Sequence, residues 1–324
     1  MSVYLSAPGL VRPRHDGARW FDPAIDLTGR KSRYLSRATR YLLASSQQTL
    51  HACGDLFSAL PQERKGVVIG TNFADYAVRH EADHLLLAEG SGALNSIQAP
   101  NVSINIPATQ AAIAFRCGGV CATLTTSGVA GIEAIIYAKN AIDGGRVDAV
   151  LVGATEDNGS DDGQGIVLPG VLPGSCTLAA FSAAGRSSCA TGQHAYEVAA
   201  WHWRRYPAAA LGDPARAARL RAVFSNAIAG MAGPGTAPVS VYWPQADALS
   251  LTMQGWLLGA LDGARVEAHV IDPPPAPGWS GAGCNTALMS LQFALESARG
   301  PLLFVASHPM GNVVVLYLKP YFCH

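Results

Sequence analysis

Hydrophobic positions follow two different periods along the chain, and the two periods alternate. Short apolar runs bounded by glycine or polar residues, such as Gly66-Val-Val-Ile-Gly70, are typical of buried strands. They predict strands at 3–10, 66–70, 121–126, 149–153, 177–182, 239–243, 266–271, 302–307 and 313–318. Longer stretches with apolar residues three and four apart predict helices at 36–53, 76–88, 108–115, 129–143, 190–206, 214–223, 246–261 and 283–298.

The alternation of strands with helices predicts an α/β fold with mostly parallel sheets covered on both faces. A break rich in glycine and aspartate at 159–174 divides the pattern into two similar parts. We therefore expect two tightly fused halves, residues 1–170 and 171–324, whose sheets share a central layer of helices. No sequence repeat is strong enough to prove a duplication.

The composition favours a large core and an extensive interface. Hydrophobic residues make up 49% of the 324 residues, charged residues only 14%, and the formal net charge is zero. A neutral chain without a basic stripe is not expected to bind nucleic acid. One basic cluster stands near the start, and we interpret it as a solvated helix face or as a docking point for an acidic carrier protein. It contains Arg30, Lys31, Arg33, Arg37 and Arg40.

Neither a leader nor a cofactor is expected from the sequence. The first residues lack the basic start and apolar run of a signal peptide, and no apolar stretch reaches the ~18 residues of a membrane helix. Seven scattered cysteines without zinc spacing indicate reduced thiols in a cytoplasmic protein. Cys117 and Cys121 are four residues apart, and we interpret each as a packed thiol. The sequence predicts no metal site.

Residues 123–156 contain a polar turn that opens a helix, then an apolar strand ending at Gly153 and Glu156. The segment resembles the nucleophile region of β-ketoacyl synthases, T-A-C-[ST]-S-[GS]-L-x-A followed by G-x-x-D-x-x-L-x-G-G-x-E. This resemblance implies the thiolase fold, with two similar halves in five α-β-α-β-α layers. Two later segments resemble further motifs of the same family but are shorter than those motifs. They are Gly278-Trp-Ser-Gly-Ala-Gly-Cys284 and Ser307-His-Pro-Met-Gly-Asn312.

In this resemblance the catalytic residues are replaced. With Thr126 on the family's Thr, Gly128 falls on the nucleophilic Cys and Trp279 on a catalytic His. Glycine cannot hold an acyl group and an indole has no titrating nitrogen, so condensation is not expected. The alternative is a divergent condensing or acyl-transfer enzyme that uses another nucleophile, such as Ser127, although the sequence places no general base beside it.

Loss of the nucleophile in this family marks chain-length-factor subunits of type II polyketide synthases. The resemblance therefore implies a non-catalytic subunit that forms a heterodimer with an active ketosynthase, receives acyl carrier protein through that complex, and shapes the acyl tunnel in polyketide, polyene or fatty-acid-like elongation. A stand-alone acyl-binding module is a third hypothesis.

Several residues are candidates for the tunnel and the interface. The stretch 100–119 resembles the dimerisation segment that precedes the family's nucleophile. The candidates are Asn105, Ile106, Ile113, Phe115, Thr126 and Met310. We interpret Glu156 as structural, His308 as a loop histidine that could line a residual pocket, and Trp201 and Trp203 as core or interface residues.

Overall fold

The computed structural model describes residues 2–6, 8–13, 21–22, 34–97, 99–159, 168, 171–183, 195–232, 237–243, 247–272 and 283–321. Its strands are β1 Val3–Leu5, β2 Gly9–Val11, β3 Lys65–Gly70, β4 Cys121–Leu124, β5 Ala149–Glu156, β6 Gly174–Ser182, β7 Ala195–Arg205, β8 Val239–Tyr242, β9 Ala268–Ile271, β10 Leu302–Ser307 and β11 Asn312–Tyr321. Its α-helices are α1 Arg37–Ala52, α2 Tyr76–Glu89, α3 Ile106–Ala114, α4 Ala130–Asp143, α5 Ala208–Leu211, α6 Pro214–Met231, α7 Ala248–Gly263 and α8 Cys284–Ser297.

The strand order repeats itself about the middle of the sheet. Hydrogen bonds connect the strands in the order β4-β3-β5-β6-β1-β7-β11-β10-β8-β9, with β2 added beside β6. In the first five, β3 is parallel to β4 and β5, and β6 is antiparallel to β5 and β1. In the last five, β8 is parallel to β9 and β10, and β11 is antiparallel to β10 and β7. The two sets therefore share one topology, and they meet at the antiparallel β1–β7 pair.

Three hydrophobic cores lie between the layers of strands and helices in this fold. On β5, Val150 and Val152 face the central core, which contains α4 and α8, while Ala149 and Leu151 face α1 and α3. On the second set of strands, Leu303 and Val305 of β10 face α6 and α7. Because side chains alternate between the two faces of a strand, each set of strands separates two helical layers. The order is α1/α3, strands, α4/α8, strands, α6/α7, which confirms the predicted α-β-α-β-α layers of a thiolase-like fold.

Three local expectations from the sequence are wrong. Residues 195–205 form β7, not a helix, because they pair with β11 and β1, and such pairing outweighs local propensity. The strand expected at 3–10 is two strands, β1 and β2, with separate registers on β6. Of the ten strand pairs among the described residues, four are parallel and six antiparallel, so the pairing is not mostly parallel.

The division of the chain at residue 170 stays a prediction. By strand pattern β6, which begins at Gly174, groups with the first set of strands, because it pairs with β5 and β1. The remaining predicted elements lie within a few residues of the observed ones. The largest extension is α6, which continues to Met231.

Candidate functional site

The predicted nucleophile region forms a sharp strand-to-helix turn. Strand β4 ends at Leu124, residues Ser127–Val129 form one turn of 3-10 helix, and α4 begins at Ala130. The start of α4 lies against the end of β3. A Cβ atom added at Gly70 would come within 2.5 Å of the backbone nitrogen of Gly131, so only glycine allows this approach. Glycines of the sequence therefore place the turn at the carboxyl ends of β3 and β5.

Ser127 has a backbone conformation that is unusual for its position. Its φ is +47°, in the left-handed region. The other described non-glycine residues with positive φ are Arg116 and Arg265. Both follow the last turn of a helix, where the next amide reaches back to the helix (Cys117 N to Ala112 O, Val266 N to Leu261 O), an ordinary way for helices to end. Ser127 instead lies at the start of a helix, where no such motif accounts for its conformation.

Two asparagine side chains hold Ser127 in place. The Asn72 Nδ2 group donates to the Ser127 carbonyl at 2.8 Å, and the Asn312 Nδ2 group donates to Ser127 Oγ at 3.1 Å. Asn72 follows β3 and Asn312 begins β11, so the contacts come from both sets of strands. Ser127 is half-buried, whereas Gly128 beside it is buried. Sequence reasoning missed the role of both asparagines, although their places beside strand ends could have indicated it.

The buried carboxylate of Glu156 lies beneath the turn and accepts several hydrogen bonds. Its carboxylate accepts from Thr71 Oγ1 at 3.1 Å, Asn72 N at 3.1 Å and Phe73 N at 2.8 Å. It also accepts from Cys284 N at 3.1 Å and Cys284 Sγ at 3.0 Å, at the start of α8. Burial raises the pKa of Glu156 and these donors oppose that rise, while burial and the carboxylate together raise the pKa of the Cys284 thiol. These contacts support the structural interpretation of Glu156.

A second carboxylate, Glu133, lies one turn into α4. The Trp203 indole N–H of β7 donates to Glu133, which also interacts with the Thr126 side chain. Burial raises the pKa of Glu133, and both hydrogen bonds act against that rise. The predicted tunnel residue Thr126 therefore lies beside this carboxylate. Trp203 is half exposed, so it lies at the edge of the central layer and outside the core.

The β10–β11 loop closes one side of the turn. His308 N donates to the Asn312 carbonyl at 2.9 Å, and His308 Nδ1 accepts from Met310 N at 3.3 Å. Burial lowers the pKa of His308. These contacts fit the loop-histidine interpretation, and no hydrogen bond joins His308 to Ser127 among the described residues. Met310 is 59% exposed.

The predicted tunnel and interface segment lies on α3 and its flanks. Ile113 is 67% exposed, and Asn105 is exposed as well. Ile106 is half-buried, and Phe115 packs against the outer core of α1 and α3. The structure therefore separates Ile113 and Asn105, which face solvent, from Phe115, which packs within the subunit.

Strand β4 lies at the end of the sheet, next to α3. It pairs with β3 on one side, and no described strand pairs with its other side. Further exposed apolar side chains lie on α2 and in 91–102, where two turns pack against α2. They are Leu86, Leu87, Leu94, Ile97 and Val102. An open strand edge and exposed apolar groups, such as Ile113 on the neighbouring α3, are each typical of association surfaces.

Other sequence candidates occupy ordinary positions. Cys117 is partly buried, which raises its thiol pKa to about 12, and Cys121 lies on β4 with a raised pKa from partial burial. Arg37 pairs with Asp157, and Arg40 donates to the Leu35 carbonyl. Trp279, Arg30, Lys31 and Arg33 lie outside the described residues. The described residues include no cluster arranged for a metal ion, and none of the described helices has the length and apolarity needed to cross a membrane.

Residues 11–167, which contain this turn, match the family described as "Beta-ketoacyl synthase, N-terminal domain". The match covers slightly less than half of the 324 residues. No curated protein is significantly similar to it in sequence. The resemblance drawn from residues 123–156 is thus confirmed at the level of this domain.

Solved structures share the ketosynthase fold over nearly the whole chain. One is the type II acyl-carrier protein complex AntDE:AntF with its ketosynthase bound to the hexaketide, at TM-score 0.76 and 16% identity, covering 98% of this chain and 99% of that one. The ishigamide ketosynthase/chain length factor gives 0.65 and 18%, covering 98% and 99%. A β-ketoacyl synthase from Burkholderia phymatum STM815 gives 0.68 and 12%, covering 99% of both chains. At these identities the likeness shows the fold alone.

Proposed function

We propose that this chain is a chain-length-factor-like partner of an active ketosynthase and does not itself carry out condensation. The pair would act in the cytoplasm, on acyl chains delivered by an acyl carrier protein. The main support is a strand-to-helix turn without a cysteine: the resemblance puts Gly128, next to Ser127, at the position where a condensing enzyme needs a thiolate. The fold shared with a ketosynthase/chain length factor is consistent with this role.

The open edge of β4 supports a partner on that side. An unpaired strand edge exposes backbone donors and acceptors that another chain can satisfy, and exposed Ile113 lies on the neighbouring helix. Obligate interfaces commonly bury more than ~2,000 Å² and resemble a divided core. Co-expression with an intact ketosynthase tests the proposal. We expect a one-to-one complex on size-exclusion chromatography, and a stable monomer that does not bind the cognate synthase would contradict it.

Introducing a cysteine at Gly128 should not create a condensing enzyme. Decarboxylation of a malonyl unit needs groups that stabilise the enolate, and catalytic groups that act as a unit do not contribute additively. We expect no chain extension by Gly128→Cys in a complex whose ketosynthase has lost its own cysteine, measured by mass spectrometry of products. The same complex with the intact ketosynthase is the control, and restored extension would show that the site is misinterpreted.

The α3 segment should set product length. Ile106 and Phe115 are half-buried there, and bulky side chains that close a tunnel would stop a growing chain because overlap in a packed interior costs about 1–3 kcal/mol. We expect Ala at Ile106, Ile113 or Phe115 to lengthen the product if that residue is the stop. Phe115→Ala should also lower stability, because Phe115 packs against the outer core.

Product length, read by mass spectrometry, is the informative measurement because it does not depend on yield. Leu251→Ala, an exposed change on α7, is the matched control and should leave product length unchanged. Wild-type length from all three assembled variants would mean that this segment does not determine it.

A further inference from the structure

We propose that the open edge of β7 binds an extended acidic segment of another protein as an added antiparallel strand. The binding surface is residues 200–205 of β7, which carry the exposed side chains of Trp201, Trp203, Arg204 and Arg205. This interaction goes beyond the proposed partner role, which assigns the ketosynthase to the side of β4 and α3.

The first support is the backbone of β7. One edge of the strand pairs with β11, from Ala195 opposite Tyr321 to Arg205 opposite Asn312. On the other edge, β1 pairs with Tyr196 and Glu197 only. Among the described residues, no strand pairs with the second edge of 200–205, and no loop gives these residues a further backbone hydrogen bond. The donors and acceptors along this edge are therefore available to another strand.

The second support is a pair of exposed indoles on the same strand. Trp201 and Trp203 are 37% and 48% exposed. They lie opposite Leu316 and Val314 of β11, which belong to the central core, so both indoles project from the face of the sheet that carries α4. An incoming strand would place apolar side chains directly opposite them on that face. Tryptophan and arginine are the residue types that most often dominate the energy of such interfaces.

The third support is the charge at the end of the strand. Arg204 and Arg205 are both exposed, and no carboxylate among the described residues forms an ion pair with either of them. The carboxylates that face this part of the sheet are already engaged: Glu133 of α4 accepts from Trp203, and Glu197 of β7 accepts from Ser2 Oγ at 2.6 Å. Two adjacent positive charges without such partners favour acidic residues on the incoming strand.

The arginines alone do not close this edge to other proteins. Protected strand edges are typically very short, interrupted by proline or a bulge, or covered by another element. Residues 200–205 contain no proline, and their register with β11 is unbroken. Because two tryptophans are exposed on the same stretch, the charge selects an acidic occupant and does not exclude every strand.

The direction of β1 defines the pattern that this edge should recognise. An occupant antiparallel to β7 runs in the direction of β1, and its successive residues lie opposite 205, 204, 203, 202, 201 and 200. Residues directly opposite each other share a face of the sheet, so the preferred pattern is acidic, acidic, apolar, polar, apolar, polar.

The test uses the full chain and a fluorescein-labelled peptide of sequence DEVTVT with blocked termini, measured by fluorescence anisotropy. We expect saturable binding that weakens as salt is added, because exposed charges are screened. The peptide KKVTVT, which reverses the charge but keeps the strand pattern, should bind roughly tenfold more weakly or less well still.

Backbone methylation distinguishes strand pairing from charge attraction alone. Alternate N–H groups of a strand face opposite edges, so methyl groups on alternate nitrogens of DEVTVT remove the donors on one edge only. Of the two peptides methylated in this way, one should bind roughly tenfold more weakly than the other. Equal binding by both would overturn the proposal, since attraction between charges does not depend on which edge keeps its donors.

Variants of the chain test the surface itself. Arg204→Glu combined with Arg205→Glu should weaken binding of DEVTVT roughly tenfold or more, and Trp201→Thr should do the same. The matched control is Arg219→Glu combined with Arg221→Glu, which reverses two exposed charges on α6 and should leave binding unchanged.

Several results would overturn this inference. They are the absence of saturable DEVTVT binding, equal binding of KKVTVT, unchanged binding by the arginine double variant at 204 and 205, and tighter binding of a labelled oligothymidylate than of the peptide. The ketosynthase partner role fails or stands separately. Ile113→Asp, which changes the α3 side, should leave peptide binding unchanged.

Discussion

Glu156→Ala is expected to lower the free energy of unfolding by about 3–5 kcal/mol, the largest effect of any single change considered for this protein. Glu156 is fully buried, and its removal leaves the donors of Thr71, Asn72, Phe73 and Cys284 without an acceptor. Glu156→Gln should cost less, roughly 1–3 kcal/mol, because the amide keeps one acceptor oxygen. Urea denaturation measures both values.

The control for Glu156 is Glu267→Ala. The Glu267 side chain is 67% exposed, so this change should alter stability by no more than about 0.5 kcal/mol. A loss below about 1 kcal/mol for Glu156→Ala would show that this carboxylate does not hold the turn against α8.

The protonation of Glu156 should make the stability of the folded chain depend on pH. Burial raises the pKa of Glu156 above its ordinary value of 4.5, so the folded state binds the proton more tightly than the unfolded state does. The stability that this proton contributes is present below pH 4.5 and is lost as the pH rises through the folded pKa. The stability of the wild type relative to Glu156→Gln should therefore fall as the pH rises from 4.5 toward neutrality.

Ile113→Asp is expected to weaken the complex with the cognate ketosynthase by roughly 100-fold or more. The side chain is 67% exposed in the single chain and belongs to α3, the helix next to β4. A carboxylate buried there without a partner would cost about 3 kcal/mol or more, and each 1.4 kcal/mol is tenfold in affinity. Sedimentation velocity or isothermal titration measures the dissociation constant.

A leucine of similar exposure on the opposite outer helical layer provides the control. Leu251 lies on α7 and is 57% exposed, so Leu251→Asp adds the same charge outside the proposed interface. Both variants should fold as the wild type does, because exposed substitutions change stability little. Equal binding by the two variants would place the partner on another surface.

Much of the fold could be predicted from residues near one another in sequence. Gly66-Val-Val-Ile-Gly70 is a strand in both the pattern and the structure, because an apolar run of this length is buried on both faces. The sequence also predicts the polar turn that opens a helix at 129–143, and the structure has this helix at Ala130–Asp143. Residues 195–205 could not be predicted in this way. Their alanines, tyrosine and tryptophans suit either structure, and pairing with distant β11 and β1 makes them a strand.

The sequence alone determined the residue types at the turn: a serine and a glycine where the family resemblance expects a cysteine, and a carboxylate at the end of β5. Tertiary structure decided which of the two turn residues has a left-handed backbone and is accessible, because the turn packs against α4, α8 and β11. It also brought Asn72 and Asn312, 240 positions apart, to the same serine. Long-range contacts of this kind leave no local pattern, since each asparagine alone resembles any polar residue after a strand.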